Sequence, residues 1–228
     1  MSVWQTVRQE KKAKPDADGK PQDGSTVAVK KTQTYHVKRR VLSELALEAE
    51  LPWHFEAGVS YHCLSWGDVD SLTYLRVILK QQRVEYAAIS TWCMSLTDIK
   101  EIGRWMEQGI LGRLDFYLGD LFLQAYEQEY QVLKPLCKKY GCRLVIFRNH
   151  SKLTVVFGER FDAMIESSAN VNTNPRMENT VITVDRELAE WYKKQLDGIT
   201  AFNVDYEQPA VYERRVSDGQ TAQDRVDE

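Results

Sequence analysis

Short apolar runs alternate with longer amphipathic segments through the middle of the chain. Residues 84–91, 114–120 and 142–147 are rich in β-branched and aromatic side chains, which is typical of strands buried on both faces. Between them lie segments with apolar residues at helical spacing, 95–109 and 121–141. Strands that alternate with helices predict an α/β fold, with a mixed, mainly parallel sheet flanked by helices on both faces.

Two local signals mark helix ends in this region. Ser95 is followed three residues later by Asp98, which favours a helix start, and Gly141 follows two lysines as expected at a helix end. After residue 142 the order changes, and apolar runs follow one another with little between them. The predicted elements of this second half are strands at 150–157, 162–170 and 178–184 and a final helix at 185–198.

The charge pattern divides the chain into three regions. Residues 1–40 hold ten basic and four acidic side chains, a formal charge of +6, and their centre is rich in Pro, Gly, Asp and Lys. We therefore expect a flexible basic extension at 1–45, a catalytic domain at 46–202 and a polar acidic tail at 203–228. A mobile basic arm suits a polyanionic partner, and a solubilising tail is the equally weighted alternative.

The composition excludes several classes of protein and of site. The chain has 228 residues, of which 43% are hydrophobic and 28% charged, and a formal net charge of -3, which is typical of a globular domain. No apolar stretch is long enough for a membrane span, and the first residues lack the apolar centre of a signal peptide, so we expect a cytoplasmic protein without membrane contact. The four cysteines form no Cys-x-x-Cys pair, which argues against a metal site or disulfides and favours reduced core residues.

The polar residues that interrupt the later strands are the candidate chemistry. His150 and Lys152 are two residues apart and so share one face of a predicted strand, as do Ser168 and Asn170 in the next strand. If these strands pair, an imidazole, an ammonium, a hydroxyl and an amide surround one point, where they suit a phosphate. Glu178, which begins the following strand, is a candidate to orient the ring of His150.

These residues resemble a known motif. HSK at 150–152, SSAN at 167–170 and MEN at 177–179 are similar in order and spacing to the HKD motif of the phospholipase D superfamily, particularly its small bacterial nuclease branch. The resemblance implies that His150 is the nucleophile, that Lys152, Ser168 and Asn170 bind phosphate, and that Glu178 orients the histidine. The Asp that this family usually has five residues after the Lys is replaced by Phe157, with Glu159 and Asp162 only in a different register.

The same resemblance implies a reaction and an assembly. Such enzymes use two histidines, one to attack phosphorus and one to protonate the leaving oxygen, and this chain has one motif. We therefore expect a homodimer with its active site at the two-fold interface, and phosphodiester hydrolysis through a phosphohistidine with neither metal nor cofactor.

The substrate class is inferred from the charge pattern and from the lack of a membrane-binding segment. The basic arm and the absence of a membrane-binding segment favour DNA or RNA over phospholipid, so a nuclease is the leading interpretation. The alternative is a catalytically weak or inactive module of this fold that binds nucleic acid or a protein partner. Trp66 and Trp92 lie at the ends of predicted strands, where ligand sites of such sheets occur, although packing is the simpler interpretation.

Overall fold

The computed structural model describes residues 45–66, 69–172 and 176–214. The predicted basic extension and the last part of the predicted tail, residues 1–44 and 215–228, lie outside the described residues. No helix within the described ranges has both the length and the apolar character needed to cross a membrane.

Seven strands and five helices follow a helical segment at 45–50. In chain order they are β1 (Ser60–Ser65), α1 (Ser71–Gln81), β2 (Val84–Thr91), α2 (Leu96–Glu107), β3 (Leu111–Gly119), α3 (Phe122–Ala125), α4 (Glu127–Tyr140), β4 (Leu144–Phe147), β5 (Leu153–Gly158), β6 (Asp162–Ser167), β7 (Glu178–Thr183) and α5 (Arg186–Asp197). The helix signals in the sequence are confirmed: Ser95 and Asp98 form a capping box, and Gly141 ends α4 with a left-handed φ of 64°.

All seven strands form one mixed sheet in the order β1-β7-β6-β5-β2-β3-β4. Among the strands of the described residues, β2–β3 and β3–β4 pair in parallel and the other four pairs are antiparallel. The prediction of a mainly parallel sheet is therefore wrong. The parallel pairs have helices between their strands, whereas β5 and β6 are joined by residues 159–161 alone, which is too short for a crossover and forces an antiparallel hairpin.

Helices cover both faces of the sheet, as the sequence predicted. The larger apolar cluster contains residues from α1, α2 and α4, and the smaller one contains Ala189 and Leu196 from α5. Alternation along β2 shows the division: Ala87 and Ile89 belong to the first cluster, and Tyr86 and Ala88 to the second. A sheet buried on both faces explains why its central strands are almost continuously apolar.

Residues 203–214, which the sequence assigned to a polar tail, pack against the domain. The Asn203 side chain accepts from the Ile146 N–H at 2.9 Å and donates to the Leu144 carbonyl at 2.9 Å. Gln208 accepts from the Leu144 N–H at 3.0 Å. Side-chain amides thus occupy the free hydrogen-bonding edge of β4, as a further strand would. Farther on, Tyr212 stacks on Tyr86 with ring centroids 4.2 Å apart.

A buried carboxylate lies on the face of the sheet that packs against α5. Asp115 on β3 is fully buried and accepts from the Tyr86 hydroxyl at 3.0 Å, from the Arg113 guanidinium at 2.8 and 3.0 Å and from the Arg143 N–H at 2.8 Å. These donors satisfy both carboxylate oxygens in a position without access to water. The network joins β2, β3 and the chain entering β4.

We expect Asp115→Ala to lower the free energy of unfolding by about 3–5 kcal/mol, because it leaves a largely buried guanidinium without its counter-charge. Urea denaturation of the purified protein measures this loss. The matched control is Glu190→Ala, which removes an exposed ion pair with Arg186 and should cost less than about 1 kcal/mol. Equal losses in the two variants would contradict this role of Asp115.

Candidate active site

The sheet topology brings the ends of several strands to one rim. β2, β3 and β4 run in the same direction and end there, and β5, antiparallel to β2, begins there, since Ser90 pairs with Leu153. By the same alternation β6 ends at this rim and β7 begins there, since Ser167 pairs with Thr180. The HSK segment, the SSAN segment and Glu178 therefore meet at one end of the sheet.

His150 and Lys152 lie just before β5 and not within it. The predicted strand at 150–157 begins only at Leu153, so strand alternation does not orient the two side chains. Their segment is nevertheless held to the next strand, because the Ser167 N–H donates to the Lys152 carbonyl at 2.9 Å. The His150 ring is exposed, and the Lys152 ammonium donates to the His150 carbonyl at 2.5 Å.

Asn149 fixes the turn that presents His150. Its buried side-chain amide donates to the Ser90 hydroxyl and to the Tyr117 carbonyl, both at 2.9 Å. Its side-chain oxygen accepts from the Ser151 N–H at 2.9 Å and from the Ser151 hydroxyl at 2.7 Å. Asn149 thereby ties the residues on either side of His150 to the ends of β2 and β3.

Ser168 and Asn170 follow β6, which ends at Ser167 and not at residue 170. The Ser168 hydroxyl donates to the Glu178 carboxylate and accepts from the Asn179 N–H at 3.0 Å. The Asn170 side-chain oxygen accepts from the Trp92 N–H at 3.3 Å. SSAN is thus bound to β7 on one side and to the end of β2 on the other.

Glu178 contacts Ser168 and not the proposed nucleophile. Within the described residues, no hydrogen bond or ion pair joins its carboxylate to the His150 ring. Its negative charge does reach Lys152, whose pKa it raises in opposition to burial. Of the five candidate residues, the contacts link Ser168 with Glu178 and Lys152 with His150 directly, and they gather the rest at the same rim.

Burial shifts the pKa values of two groups at the rim toward favouring their neutral forms. Desolvation lowers the pKa of Lys152 below its ordinary range, because burial disfavours the charged ammonium. Desolvation raises the pKa of the Cys93 thiol, which is buried within electrostatic reach of Lys152. Cys93 is therefore a neutral thiol in the wall of the site, since reactivity requires the thiolate.

Trp92 lies beside the candidate nucleophile. Its ring centroid is 6.2 Å from that of His150, and its side chain is half-buried. Gly119, at the end of β3, permits this position, because a Cβ there would approach Trp92 Cδ1 to 2.6 Å. The space at Gly119 therefore accommodates the indole next to the imidazole of His150.

Sequence reasoning missed Asn149 and Thr91. Thr91 is buried, and its hydroxyl donates to the Cys93 carbonyl at 2.9 Å and accepts from the Val171 N–H at 3.2 Å. Asn149 carried a detectable signal, because an asparagine two residues before Ser151 is typical of a side-chain-stabilised turn. Its bonds to distant strands had no signal in the local sequence.

Phe157, which replaces the Asp usual in the motif, is buried in the smaller apolar cluster. A carboxylate from the following hairpin lies nearby: Asp162 accepts from the Gly158 N–H at 3.2 Å and from Arg214 at 2.8 Å. Arg214 also lies over the Phe157 ring, 5.9 Å from its centroid. The ion pair between Asp162 and Arg214 thus lies beside β5, but its carboxylate comes from the start of β6 and not from position 157.

Metal-ligating side chains do not cluster in the part of the chain that the structure describes, since no three His, Cys, Asp or Glu residues are grouped to hold an ion. The candidate site consists of hydrogen-bond donors, one imidazole and one carboxylate. This donor set suits an anion with several oxygens better than a divalent cation.

Comparison with known proteins gives similarities of fold. No family model matches the sequence, and no curated protein matches it. Among solved structures, the chain is similar to the phospholipase D family member Nuc from Salmonella typhimurium, with 13% identity over 60% of this chain and 90% of that one and a TM-score of 0.46.

Two further structures are similar over smaller parts of their own length. Phosphatidylserine synthase from Haemophilus influenzae is 18% identical over 60% of this chain and 38% of that one, with a TM-score of 0.42. The archaeal chromatin protein TrmBL2 is 12% identical over 72% of this chain and 60% of that one, with a TM-score of 0.43. In structure, the chain is similar to members of the phospholipase D family.

Proposed function

We propose that this chain is a phosphodiesterase, and more narrowly a metal-independent nuclease that cleaves DNA or RNA as a homodimer. The observation that carries the proposal is the meeting of HSK, SSAN and Glu178 at one rim of the sheet. Three segments between residues 150 and 178 bring an imidazole, an ammonium, a hydroxyl, an amide and a carboxylate to a partly open surface. The order of these residues is the one in the motif that the sequence resembles.

In the first step, a ring nitrogen of His150 attacks the phosphorus of a bound phosphodiester. A phosphorus–nitrogen bond forms, the bond from phosphorus to the leaving oxygen breaks, and that oxygen takes a proton from His150 of the partner subunit. The ammonium of Lys152 and the amide of Asn170 stabilise the charge on the non-bridging oxygens. Burial of Lys152 strengthens this interaction, because less water screens it.

In the second step, water replaces the histidine. His150 of the partner subunit, now neutral, takes a proton from the attacking water, and the phosphorus–nitrogen bond breaks. The phosphate product leaves, and both imidazoles return to their starting protonation. Glu178 stabilises the imidazolium that develops in each step; because it bonds to Ser168 in the free chain, this role requires it to turn toward the ring when substrate binds.

Asn149 serves as a positioning residue in this scheme. Its side-chain hydrogen bonds fix the backbone on both sides of His150, so the imidazole is presented without support from a regular strand. Such preorganisation reduces the entropy that must be lost when the reacting atoms meet.

His150→Ala should abolish phosphodiester hydrolysis in EDTA, because the covalent nucleophile is lost. The assay uses plasmid and single-stranded oligonucleotide substrates with the full chain. The matched control is His62→Ala, which removes an exposed imidazole from β1 of the same sheet and should leave turnover unchanged. Turnover that survives in His150→Ala would contradict the assignment. If the wild type binds nucleic acid but does not cleave it, the result would instead support the alternative of an inactive binding module.

The pH dependence of the wild type should include Lys152. Its ammonium is charged below its pKa, and burial lowers that pKa, so phosphate binding should weaken as pH rises through a value below the ordinary lysine range. Lys152→Arg keeps the charge at all accessible pH values and should extend the alkaline limb of kcat/KM to higher pH, although at a lower rate. Identical alkaline limbs in the two proteins would show that Lys152 does not titrate in this range.

A mixed dimer tests the shared site. If each reaction needs two imidazoles, a heterodimer of wild type and His150→Ala should have less than about a tenth of wild-type activity and not half. Two affinity tags isolate the heterodimer, and sedimentation establishes its stoichiometry. Half activity, or full activity of a monomer at nanomolar concentration, would contradict the shared site.

A further inference from the structure

We infer that the substrate is single-stranded nucleic acid and that Trp92 stacks on a base next to the scissile phosphate. This inference deepens the proposed function and rests on it for the position of the phosphate. Its starting point is the partly exposed indole beside His150, with ring centroids 6.2 Å apart and planes at 54°.

Several contacts fix the position of Trp92. Its backbone N–H donates to the side-chain oxygen of Asn170, a candidate phosphate ligand, and its ring lies where Gly119 leaves space. The adjacent Thr91 hydroxyl bonds to the Cys93 carbonyl and accepts from the Val171 N–H, which fixes the chain on both sides of the indole. A phosphorus atom within reach of His150 therefore lies one nucleotide or less from this aromatic surface.

Charge along the same rim fits a nucleic-acid backbone. Arg148 follows β4 and Arg176 precedes β7; both are exposed, and neither forms an ion pair with another described residue. Acidic side chains share this end: Asp120 and Glu166 are exposed and Glu178 is half-buried, with Glu166 accepting from the Tyr192 hydroxyl and Glu178 from the Ser168 hydroxyl. Asp70, beside Asn170, is buried. Arg148, Arg176 and Lys152 thus supply three separate cations at the rim that can contact phosphates on either side of the site.

The stacking surface selects for unpaired bases. In a duplex the bases are stacked on each other and their faces are covered, whereas every base of a single strand has an accessible face. Aromatic side chains beside a cationic groove are the usual means of holding such strands without sequence preference. Because the Trp92 side chain is half-buried beside His150, it suits stacking on a base better than insertion into a lipid surface.

The test compares two oligonucleotides of equal charge. A fluorescent dT20 and an abasic strand of the same length bind in EDTA to the full chain in the His150→Ala background, in which no cleavage occurs, and anisotropy gives both Kd values. We expect Trp92→Ala to weaken dT20 binding about tenfold, the usual loss for one stacking aromatic. The abasic strand and a 20-base-pair duplex should bind with unchanged Kd.

Two further variants separate stacking from damage to the fold. Trp92→Phe keeps an aromatic face and should restore most of the affinity for dT20, whereas Trp191→Ala, which removes an exposed tryptophan from α5, should have no effect. Equal losses for dT20 and the abasic strand, or no loss for either, would overturn the inference. So would a change in sedimentation, or selective loss of binding to phosphatidylglycerol vesicles. Binding is measured without turnover, so this test gives its own result even if the protein fails the nuclease assay.

Discussion

The side chain of Asn149 connects the three segments on which the candidate site depends. Its amide bonds to the ends of β2 and β3, and its oxygen organises the turn that leads into β5. β2 and β3 are parallel neighbours, while β5 runs in the opposite direction, so this residue stands at the change from the parallel to the antiparallel half of the sheet. The exposed imidazole of His150 is held at that junction, where strand ends of both halves meet.

The sequence predicted the elements better than their directions. Apolar runs identified all the strands from β2 to β7, and capping residues identified the ends of α2 and α4, because these signals are local. The hydrophobic pattern of a buried strand does not encode its direction. The short connection at 159–161 did encode it for one pair, because three residues between β5 and β6 permit only an antiparallel hairpin.

The motif led to the candidate residues, whereas nothing in the sequence indicated the long-range contacts that hold them. His150, Lys152, Ser168, Asn170 and Glu178 lie at the same rim, although four of them lie outside the strands, where irregular backbone sets their directions. The role of Asn149 depends on partners about 30 and 60 residues away in the chain. Residues 203–214 were misassigned to a tail for a related reason: their polar side chains replace a strand at the edge of β4 and need no apolar pattern to do so.

The proposed function depends on His150 becoming covalently bound to phosphorus. The most direct measurement is mass spectrometry of protein quenched at alkaline pH during turnover of a small phosphodiester, since phosphoramidates survive base better than acid. The account predicts a transient adduct on the peptide that contains His150, carrying the phosphoryl half of the substrate, which disappears when substrate is exhausted. An adduct on another residue, or continued turnover with no adduct at any quench time, would contradict it.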